Sequence, residues 1–252
     1  MNNRLILFGL LIMVALVCAQ GCAGKQHAGL AGGTENTVSL AEEEYDEEGG
    51  QNQPDALEGL NRKVFSFNDF FLTYAFTPVN TVYVGLFPPD MRTGFSNFYS
   101  NLTFPARFVN ALLQFKFVKI GQETASFALN TVFGMGGFFK VTRNMNALNT
   151  SPEDFGQTLA FYGLGHGSYF VLPVAGPSSL RDTCGLVVDS LLHPLAWIHG
   201  AAPYHVPATL HEAGNTMSAN LGTYNAIKAD SFDHYTSLKD IYFQHRTSLE
   251  DK

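Results

Sequence analysis

The pattern of apolar and polar positions along the chain predicts mainly helical structure. In residues 105–119 apolar side chains recur every three or four residues, which is the period of one helix face. Residues 206–221 and 235–246 repeat this spacing. The apolar positions that set the period are Phe108, Val109, Leu112, Leu113, Phe117, Val206, Leu210, Ala213, Met217, Leu221, Leu238, Ile241 and Tyr242.

Signals for strands and breaks are of two kinds. Only YFVLPVAG, residues 169–176, has the composition of an extended segment, and Pro173 within it argues against a central strand. Prolines recur from Pro78 to Pro207, so the helices are expected to be short or bounded by proline.

Residues 60–87 carry apolar side chains at positions that cover more than one side of a helix. Such a helix lies at the centre of a large protein or in contact with lipid. Residues 55–249 form one predicted helical domain, which has too little interior to enclose all of these side chains. Part of its surface is therefore expected to contact lipid.

The first 21 residues have the layout of a secretory signal peptide. Arg4 precedes an apolar stretch from Leu5 to Cys18, and small residues follow. The apolar stretch is shorter than the roughly 18 residues that a membrane-spanning helix needs. We therefore interpret residues 1–21 as an export signal and not as a permanent span.

The junction Ala19-Gln20-Gly21-Cys22 resembles the lipobox of bacterial lipoproteins, in which a cysteine after a small residue is acylated. Cys18 is the competing site, but Val17 fits less well before it than Gly21 does before Cys22. An ordinary cleaved signal with a free cysteine is the alternative. Ala23 differs from the Asp that resembles an inner-membrane retention signal, which favours the periplasmic side of a Gram-negative outer membrane.

Residues 22–54 have the composition of a disordered acidic tether, since they are rich in Gly, Glu and Gln and show no apolar period. The formal net charge is −7, and EEEYDEE at 42–48 accounts for most of it. A nucleic-acid surface needs a concentrated basic patch, which is absent from the sequence, so no nucleic-acid partner is expected. Beyond Cys18 and Cys22 only Cys184 remains, so no intramolecular disulfide is expected.

No catalytic or metal-binding motif is complete. GFSNF at 94–98 and GPSSL at 176–180 lack the last glycine of the G-x-S-x-G nucleophile motif. HEAGN at 211–215 begins like the zinc motif H-E-x-x-H, but Asn215 stands at the position of the second histidine. We therefore expect a protein that is not an enzyme and that holds no cofactor or metal.

The glycine cluster in NTVFGMGGFFK, residues 130–140, lacks the Lys-Ser/Thr pair and the glycine spacing of nucleotide-binding loops. Glycine permits close approach of two backbones or a turn with positive φ. The loop is interpreted as a pliable part of a passage wall or gate. A close helix crossing or a helix-ending turn is the alternative.

Five blocks of the sequence carry a family resemblance. They are DALEGLNRKVFSFNDFF (55–71), MRTGFSNFYSNLTFPARFVNALLQFKF (91–117), FALNTVFGMGGFFKV (127–141), EDFGQTLAFYGLGHGSYFVLPVAGPSSLRD (153–182) and DIYFQHR (240–246). In order and spacing they closely resemble the VacJ/MlaA family of outer-membrane phospholipid-transport lipoproteins. Leu60 replaces a phenylalanine that is usual in the family, and His166 and Ser168 alter its G-x-G-P-Y run to GHGSY.

The resemblance implies a mainly α fold, namely a single ring-shaped helical domain with a central amphipathic channel, lying in the inner leaflet of the outer membrane. It implies removal of mislocalised phospholipid from the outer leaflet and its transfer to a soluble periplasmic carrier, beside a trimeric porin. Such a protein maintains the lipid asymmetry of the outer membrane and catalyses no reaction.

The resemblance also gives candidate residues for the lipid channel or gate. Asparagine amides could bind a lipid head group, and Arg62 or Arg107 could pair with its phosphate. Each could instead cap a helix or pair with a carboxylate. The candidates are Asn61, Arg62, Phe67, Asn68, Asn130, Gly134, Gly136, Gly137 and Phe138, with Cys22 as the lipid anchor.

Two other functions stay open from the sequence. One is a membrane-associated lipid hydrolase or acyltransferase that acts through His166 or His211. The other is a structural lipoprotein that only binds porins.

The anchor assignment predicts the outcome of Cys22→Ser. This variant is expected to leave the membrane fraction or to remain unprocessed, because the acyl chains have lost their attachment site. Fractionation followed by mass spectrometry of the N-terminal peptide measures both, with Cys184→Ser as the control. Lipidated, normally sorted Cys22→Ser protein would point to Cys18 instead.

Overall fold

The computed structural model describes residues 55–197 and 202–250. The predicted signal peptide (1–21), the predicted tether (22–54) and the two candidate acylation sites, Cys18 and Cys22, lie outside the described residues. The limits 55–249 of the helical domain stay a prediction.

Most of the described chain is α-helical, which confirms the predicted mainly α fold. A two-stranded hairpin lies between the sixth and seventh helices, and short 3-10 turns occupy Val141–Asn144, Asn146–Leu148 and Pro194–Trp197. The elements are α1 (Glu58–Phe70), α2 (Thr77–Leu86), α3 (Pro89–Leu102), α4 (Phe104–Leu113), α5 (Phe117–Phe133), α6 (Phe155–Phe161), β1 (Tyr169–Leu172), β2 (Gly176–Ser179), α7 (Leu180–Leu192), α8 (Ala202–Asp230) and α9 (His234–Glu250).

Helices α1 and α2 are joined without a break by a π-helical segment, Phe71–Phe76. Pro78 lies two residues beyond this segment and has no N–H to donate, so a regular α-turn would be interrupted at this point. The wider π-turn accommodates the proline, and the Thr77 hydroxyl donates to the Leu72 carbonyl at 2.7 Å.

Among the described residues no single helix is long and apolar enough to cross a membrane. The rod Glu58–Leu86 and helix Pro89–Leu102 meet that criterion only together, as a pair bent by 107°.

The predicted proline limits are wrong for α8, which spans 29 residues and contains Pro207. Pro207 lies near the start of α8, so the longer remainder of the helix keeps its hydrogen bonds. The continuous helix predicted for 105–119 is also wrong, because Phe115 has a φ of 56° and separates α4 from α5. The neighbouring Gln114 is buried and donates to Glu153 and Thr158, which holds the break in place.

The hairpin packs against α1 and α9 around a small apolar core. Strands β1 and β2 pair antiparallel from Tyr169 with Ser179 to Leu172 with Gly176, and Pro173 lies in the turn, outside the ladder. The buried core consists of Tyr169, Val171, Tyr235 and Phe243, with Val64, Phe65 and Tyr242 packed against it. The extended structure predicted for YFVLPVAG is thus confirmed as a hairpin strand and its turn.

Two asparagines on α1 bind the free edge of β1 in the manner of a neighbouring strand. Asn61 donates to the Tyr169 carbonyl at 3.2 Å and accepts from the Val171 N–H at 3.0 Å. Asn68, two helical turns further on, donates to the Leu172 carbonyl at 2.9 Å and accepts from Val174 N–H at 2.8 Å. Their amides satisfy strand groups that would otherwise be buried without partners.

This contact predicts that Asn61→Ala destabilises the fold. The substitution leaves a buried N–H and carbonyl of β1 without partners, so we expect a loss of about 1–3 kcal/mol in the free energy of unfolding. Chemical denaturation in detergent, followed by circular dichroism, measures it. The control is Ser66→Ala, which removes an exposed bond to the Arg62 carbonyl within the same helix. Equal stability of the two variants would contradict the proposed contact.

Candidate functional site

The described domain has polar side chains inside and apolar side chains outside. Sixteen polar or charged residues are buried among the described residues, against six apolar ones. Large apolar side chains are exposed along α2, at the start of α5 and at its end. The most exposed among them include Val79, Val82, Leu86, Val118, Val132 and Phe133, of which Val118 is 78% exposed. Helix α2 has no buried residue at all.

A cavity of about 670 Å³ lies among α4, α6, α7, α8, α9 and the hairpin. Its wall is amphipathic, because it contains both charged and apolar groups. The apolar part comes from Ala106, Pro152, Pro177, Leu186 and Ala196. The ionisable side chains in the wall are Arg107, Glu153, Asp154, Asp182, Asp189, His193, Glu212, Tyr242 and Arg246.

Arg246 joins three helices at this cavity. Its guanidinium donates to both carboxylate oxygens of Asp154 at the start of α6, at 2.7 and 3.1 Å, and to Asp182 on α7 at 2.9 Å. Burial opposes ionisation of Asp154, but its bonds with Arg246 hold its pKa below the ordinary value. Tyr242 also donates to Asp182.

Two glycines allow these helices to approach closely enough for the ion pairs to form. A Cβ on Gly185 of α7 would lie 2.5 Å from the backbone nitrogen of Gly156 on α6. A Cβ on Gly156 would lie 2.5 Å from an oxygen of Asp182 and 2.7 Å from a nitrogen of Arg246. A larger residue at either position would separate the charged groups.

Other carboxylates at the cavity differ in their partners. Glu153 is buried and ion-paired with Lys116, at 3.0 Å, and with Lys119. Asp189 accepts from Asn110 at 2.7 Å and from the Phe155 N–H at 3.0 Å, both neutral donors.

Burial governs the ionisation of the remaining carboxyls of the cavity. It raises the pKa of Asp189 above the ordinary value, although the hydrogen bonds from Phe155 and Asn110 oppose this effect. Burial also raises the pKa of Glu212. Both groups therefore bind protons more readily than an exposed carboxyl does.

The candidate residues on α1 lie away from this cavity wall. The amides of Asn61 and Asn68 are buried and bound to β1, as described above. Arg62 pairs with Glu58 and Asp233, each at 2.7 Å, and lies over the Tyr235 ring at 4.5 Å. Their assignment to a lipid channel stays a prediction. Phe67 is 52% exposed on the outer face.

Asn130 and the glycine loop form a tight turn over α3. The Asn130 side chain on α5 accepts a hydrogen bond from the Thr142 N–H at 3.1 Å. This bond holds the segment that follows the loop against α5. Gly136 and Gly137 have positive φ, and Asn101 of α3 donates to the Gly136 carbonyl at 3.1 Å. The loop N–H groups bond within the loop and to α5: Gly136 to the Thr131 carbonyl, and Gly137 and Phe139 to that of Gly134.

The end of the loop packs tightly on α3. A Cβ on Gly94 would lie 2.3 Å from the Phe138 ring, so Phe138 occupies the space above this glycine. Asn97 donates to the Phe138 carbonyl at 3.2 Å. A Cβ on Gly134 would lie 2.1 Å from the Phe139 carbonyl oxygen. The role of this loop as a gate stays a prediction.

The two histidines singled out from the sequence sit in different surroundings. His211 lies among aromatic rings, with Tyr99 OH at 3.0 Å from Nδ1 and Tyr83 OH at 3.4 Å from Nε2. His166 Nδ1 lies 2.8 Å from a nitrogen of Arg181. Among the described residues neither histidine bonds to a serine or cysteine, and no group of three metal-ligating side chains was found.

The sequence did not reveal the cavity residues as one group, although most of them lie in segments that resemble the family. Asp154 and Asp182 lie at opposite ends of the block 153–182, and Arg246 lies in the separate block 240–246. Asp189 and Glu212 lie outside these blocks. A useful signal would have been charged residues on the apolar-spaced helices α7 and α8, since a charge inside such a pattern needs a partner or a cavity.

The fold and the site together define a helical protein with an apolar exterior around an amphipathic cavity. The chain matches the profile of the family described as "MlaA lipoprotein" over residues 53–249. It therefore belongs to the MlaA lipoprotein family.

Individual relatives agree with this membership. The chain is 39% identical over 172 residues to the "Intermembrane phospholipid transport system lipoprotein MlaA" of Shigella flexneri, covering 67% of each chain. It is 29% identical over 228 residues to the protein of the same name from Haemophilus influenzae, covering 88% of this chain and 82% of the relative. A solved structure described as "Structural basis for maintenance of bacterial outer membrane lipid asymmetry" has a TM-score of 0.66 and 33% identity. The match covers 77% of this chain and 97% of the chain in that structure.

The loop geometry predicts a large effect for Gly137→Ala. Gly137 has a φ of 99°, and an added Cβ would lie 2.4 Å from Cβ of Asn101. We expect a loss of about 3 kcal/mol or more in the free energy of unfolding, from backbone strain and overpacking together. Denaturation in detergent measures it.

The matched control is Gly163→Ala, where φ is 84° and nothing lies within 4 Å of the added Cβ. This variant carries only the backbone strain, about 1–2 kcal/mol. Equal losses for the two variants would show that the contact with Asn101 is not tight.

Proposed function

We propose that this chain is an outer-membrane lipoprotein that removes mislocalised phospholipid from the outer leaflet and passes it to a soluble periplasmic carrier. In this role it maintains the lipid asymmetry of the outer membrane. The observation that carries the proposal is an amphipathic cavity in a domain with many large apolar side chains exposed on its surface, in a chain of the MlaA lipoprotein family.

The apolar surface supports a position within a lipid leaflet. Exposed apolar area of this extent is unfavourable in water, by about 25 cal/mol for each Å². Contact with acyl chains removes this cost, and large exposed apolar patches mark interaction with membranes or partners. The bent pair formed by the rod 58–86 and helix α3 fits a segment that enters a leaflet and turns back.

The cavity supports passage of a phospholipid. Its volume of about 670 Å³ falls within the range of roughly 300–1,000 Å³ that is usual for small-molecule sites. The charged groups could contact a head group while Leu186 and the prolines of the wall contact apolar chain. Acyl chains are longer than the cavity, so they would lie partly outside it, along the apolar surface.

The protein is proposed to work without catalysis. Among the described residues neither His166 nor His211 has a hydrogen bond to a serine or cysteine. The polar contacts of His166 are to Arg181 and Glu250, and those of His211 are to tyrosine hydroxyls. Transfer of a lipid between two binding sites requires no bond to be made or broken. The proposed partners are phospholipid, a trimeric porin and a soluble periplasmic carrier.

Deletion of the gene tests the transport function. Phospholipid in the outer leaflet is expected to rise, because its removal has stopped. The readout is hepta-acylated lipid A, formed by an outer-membrane acyltransferase that takes its acyl chain from outer-leaflet phospholipid. The intact gene is expected to restore the original level, whereas the Cys22→Ser gene is not. An unchanged level of hepta-acylated lipid A in the deletion strain would contradict the proposal.

A second measurement separates transport from hydrolysis. Purified protein is incubated with phospholipid labelled in its acyl chains, and released fatty acid is quantified. We expect none above the buffer control. Release that disappears in His166→Ala or His211→Ala would favour the hydrolase or acyltransferase instead.

A further inference from the structure

Some carboxylates in the cavity wall form ion pairs with lysine or arginine, and others do not. Glu153 pairs with two lysines, and Asp154 and Asp182 share Arg246. Asp189 accepts hydrogen bonds only from neutral groups, although the nearby charge of Arg246 acts to lower its pKa. Glu212 accepts no hydrogen bond from the described residues, and only burial shifts its pKa. Among the described residues, two carboxyls of the cavity wall, one on α7 and one on α8, therefore form no ion pair.

The same cavity offers unused donors on its arginines. Arg107 bonds through Nε to Glu123 at 2.9 Å and through Nη1 to Ser100 and Thr103, while its Nη2 bonds to none of the described residues. Arg246 is 8% exposed, and its Nε is buried with no hydrogen-bond partner. Buried donors without partners are costly and mark places where a ligand or water can bind.

A ligand that satisfies both sets of groups carries one anionic and one cationic group. We propose that the cavity selects phospholipids whose head group bears an ammonium beside the phosphate, with Asp189 and Glu212 as the specificity-determining residues. This inference rests on the proposed transport function and adds the head-group class. The phosphate would take the free donors of the arginines, and the ammonium would take the two carboxyls.

An anionic head group fits the wall less well. Near two carboxyls that form no ion pair it would meet repulsion, where a zwitterionic head group finds an attractive contact. Like charges placed together are a common basis of discrimination. Burial raises the pKa values of Asp189 and Glu212, and the charge of Arg246 only partly opposes this at Asp189. A bound ammonium would stabilise their ionised forms.

A competition experiment tests the selectivity. Full-length protein, purified in detergent, is mixed with vesicles of equal parts phosphatidylethanolamine and phosphatidylglycerol with matched acyl chains. The protein is then repurified and its bound lipid is quantified by mass spectrometry. We expect phosphatidylethanolamine to be enriched about tenfold, the factor given by one charge-assisted contact.

The double variant Asp189→Asn, Glu212→Gln is expected to bring the enrichment to about one, with total bound lipid unchanged within about twofold. The charge-matched control is Asp90→Asn, Asp230→Asn at two exposed carboxylates, which keeps the enrichment. Because Asp189 also accepts the Phe155 N–H, Glu212→Gln alone provides a variant that loses no protein hydrogen bond. It is expected to lower the enrichment to about threefold.

The outcomes separate this inference from the transport function. Equal binding of the two lipids by the unaltered protein, or an enrichment that persists in both cavity variants, would overturn the head-group assignment and leave transport standing. Absence of any bound phospholipid from the unaltered protein would contradict the proposed function itself.

Discussion

The arrangement of the domain depends on ion pairs between buried charged side chains. Arg246 comes from the last helix and binds Asp154 and Asp182, which are brought to it by α6 and α7. Burial disfavours its charge, but the two carboxylates more than compensate and raise the pKa of Arg246 above its ordinary value. Removing one member of a buried pair typically costs about 3–5 kcal/mol, because the remaining charge is left uncompensated. Helix α9 is therefore held at the cavity wall by charge, in addition to the apolar packing of Tyr235 and Phe243 against the hairpin.

The same reasoning applies to the neutral polar groups of the interior. A domain with few buried apolar side chains gains little from hydrophobic burial, so its elements must be joined by directed contacts. Asparagine amides serve this purpose because each can donate and accept at once. Asn61 and Asn68 hold β1, while Asn101 and Asn130 hold the two sides of the glycine loop. Such bonds are stronger in a medium of low dielectric constant, provided that every group is satisfied.

Much of the fold could be predicted from the sequence, because helical periodicity is a local property. The segments 206–221 and 235–246 fall within α8 and α9, and the apolar surplus of residues 60–87 appears as exposed side chains on a continuous rod. The break at Phe115 could not be predicted in this way. It depends on Gln114 reaching Glu153 and Thr158, more than thirty residues away in the chain.

The candidate site was harder to predict for the same reason. An asparagine in a family motif does not reveal whether its amide faces a passage or a strand edge, and Asn61 turned out to be bound to β1. The cavity is lined by residues from four helices, the segment that precedes α6 and the hairpin, so its charges come together only after folding. The sequence shows which residues are charged, whereas the fold determines which of them form ion pairs.

In the glycine loop, residues with a wide range of backbone conformations are held in place by packing against α3. Glycine permits the positive φ at Gly136 and Gly137, which by itself suggests a pliable segment. Yet the bond from Asn101 and the Phe138 ring above Gly94 hold the turn against α3. Any outward movement of the loop must break these contacts, and the glycines permit the close approach to α3 on which the contacts depend. In contrast, the π-helical segment Phe71–Phe76 has no buried residue, and a change of direction there would expose none of the core.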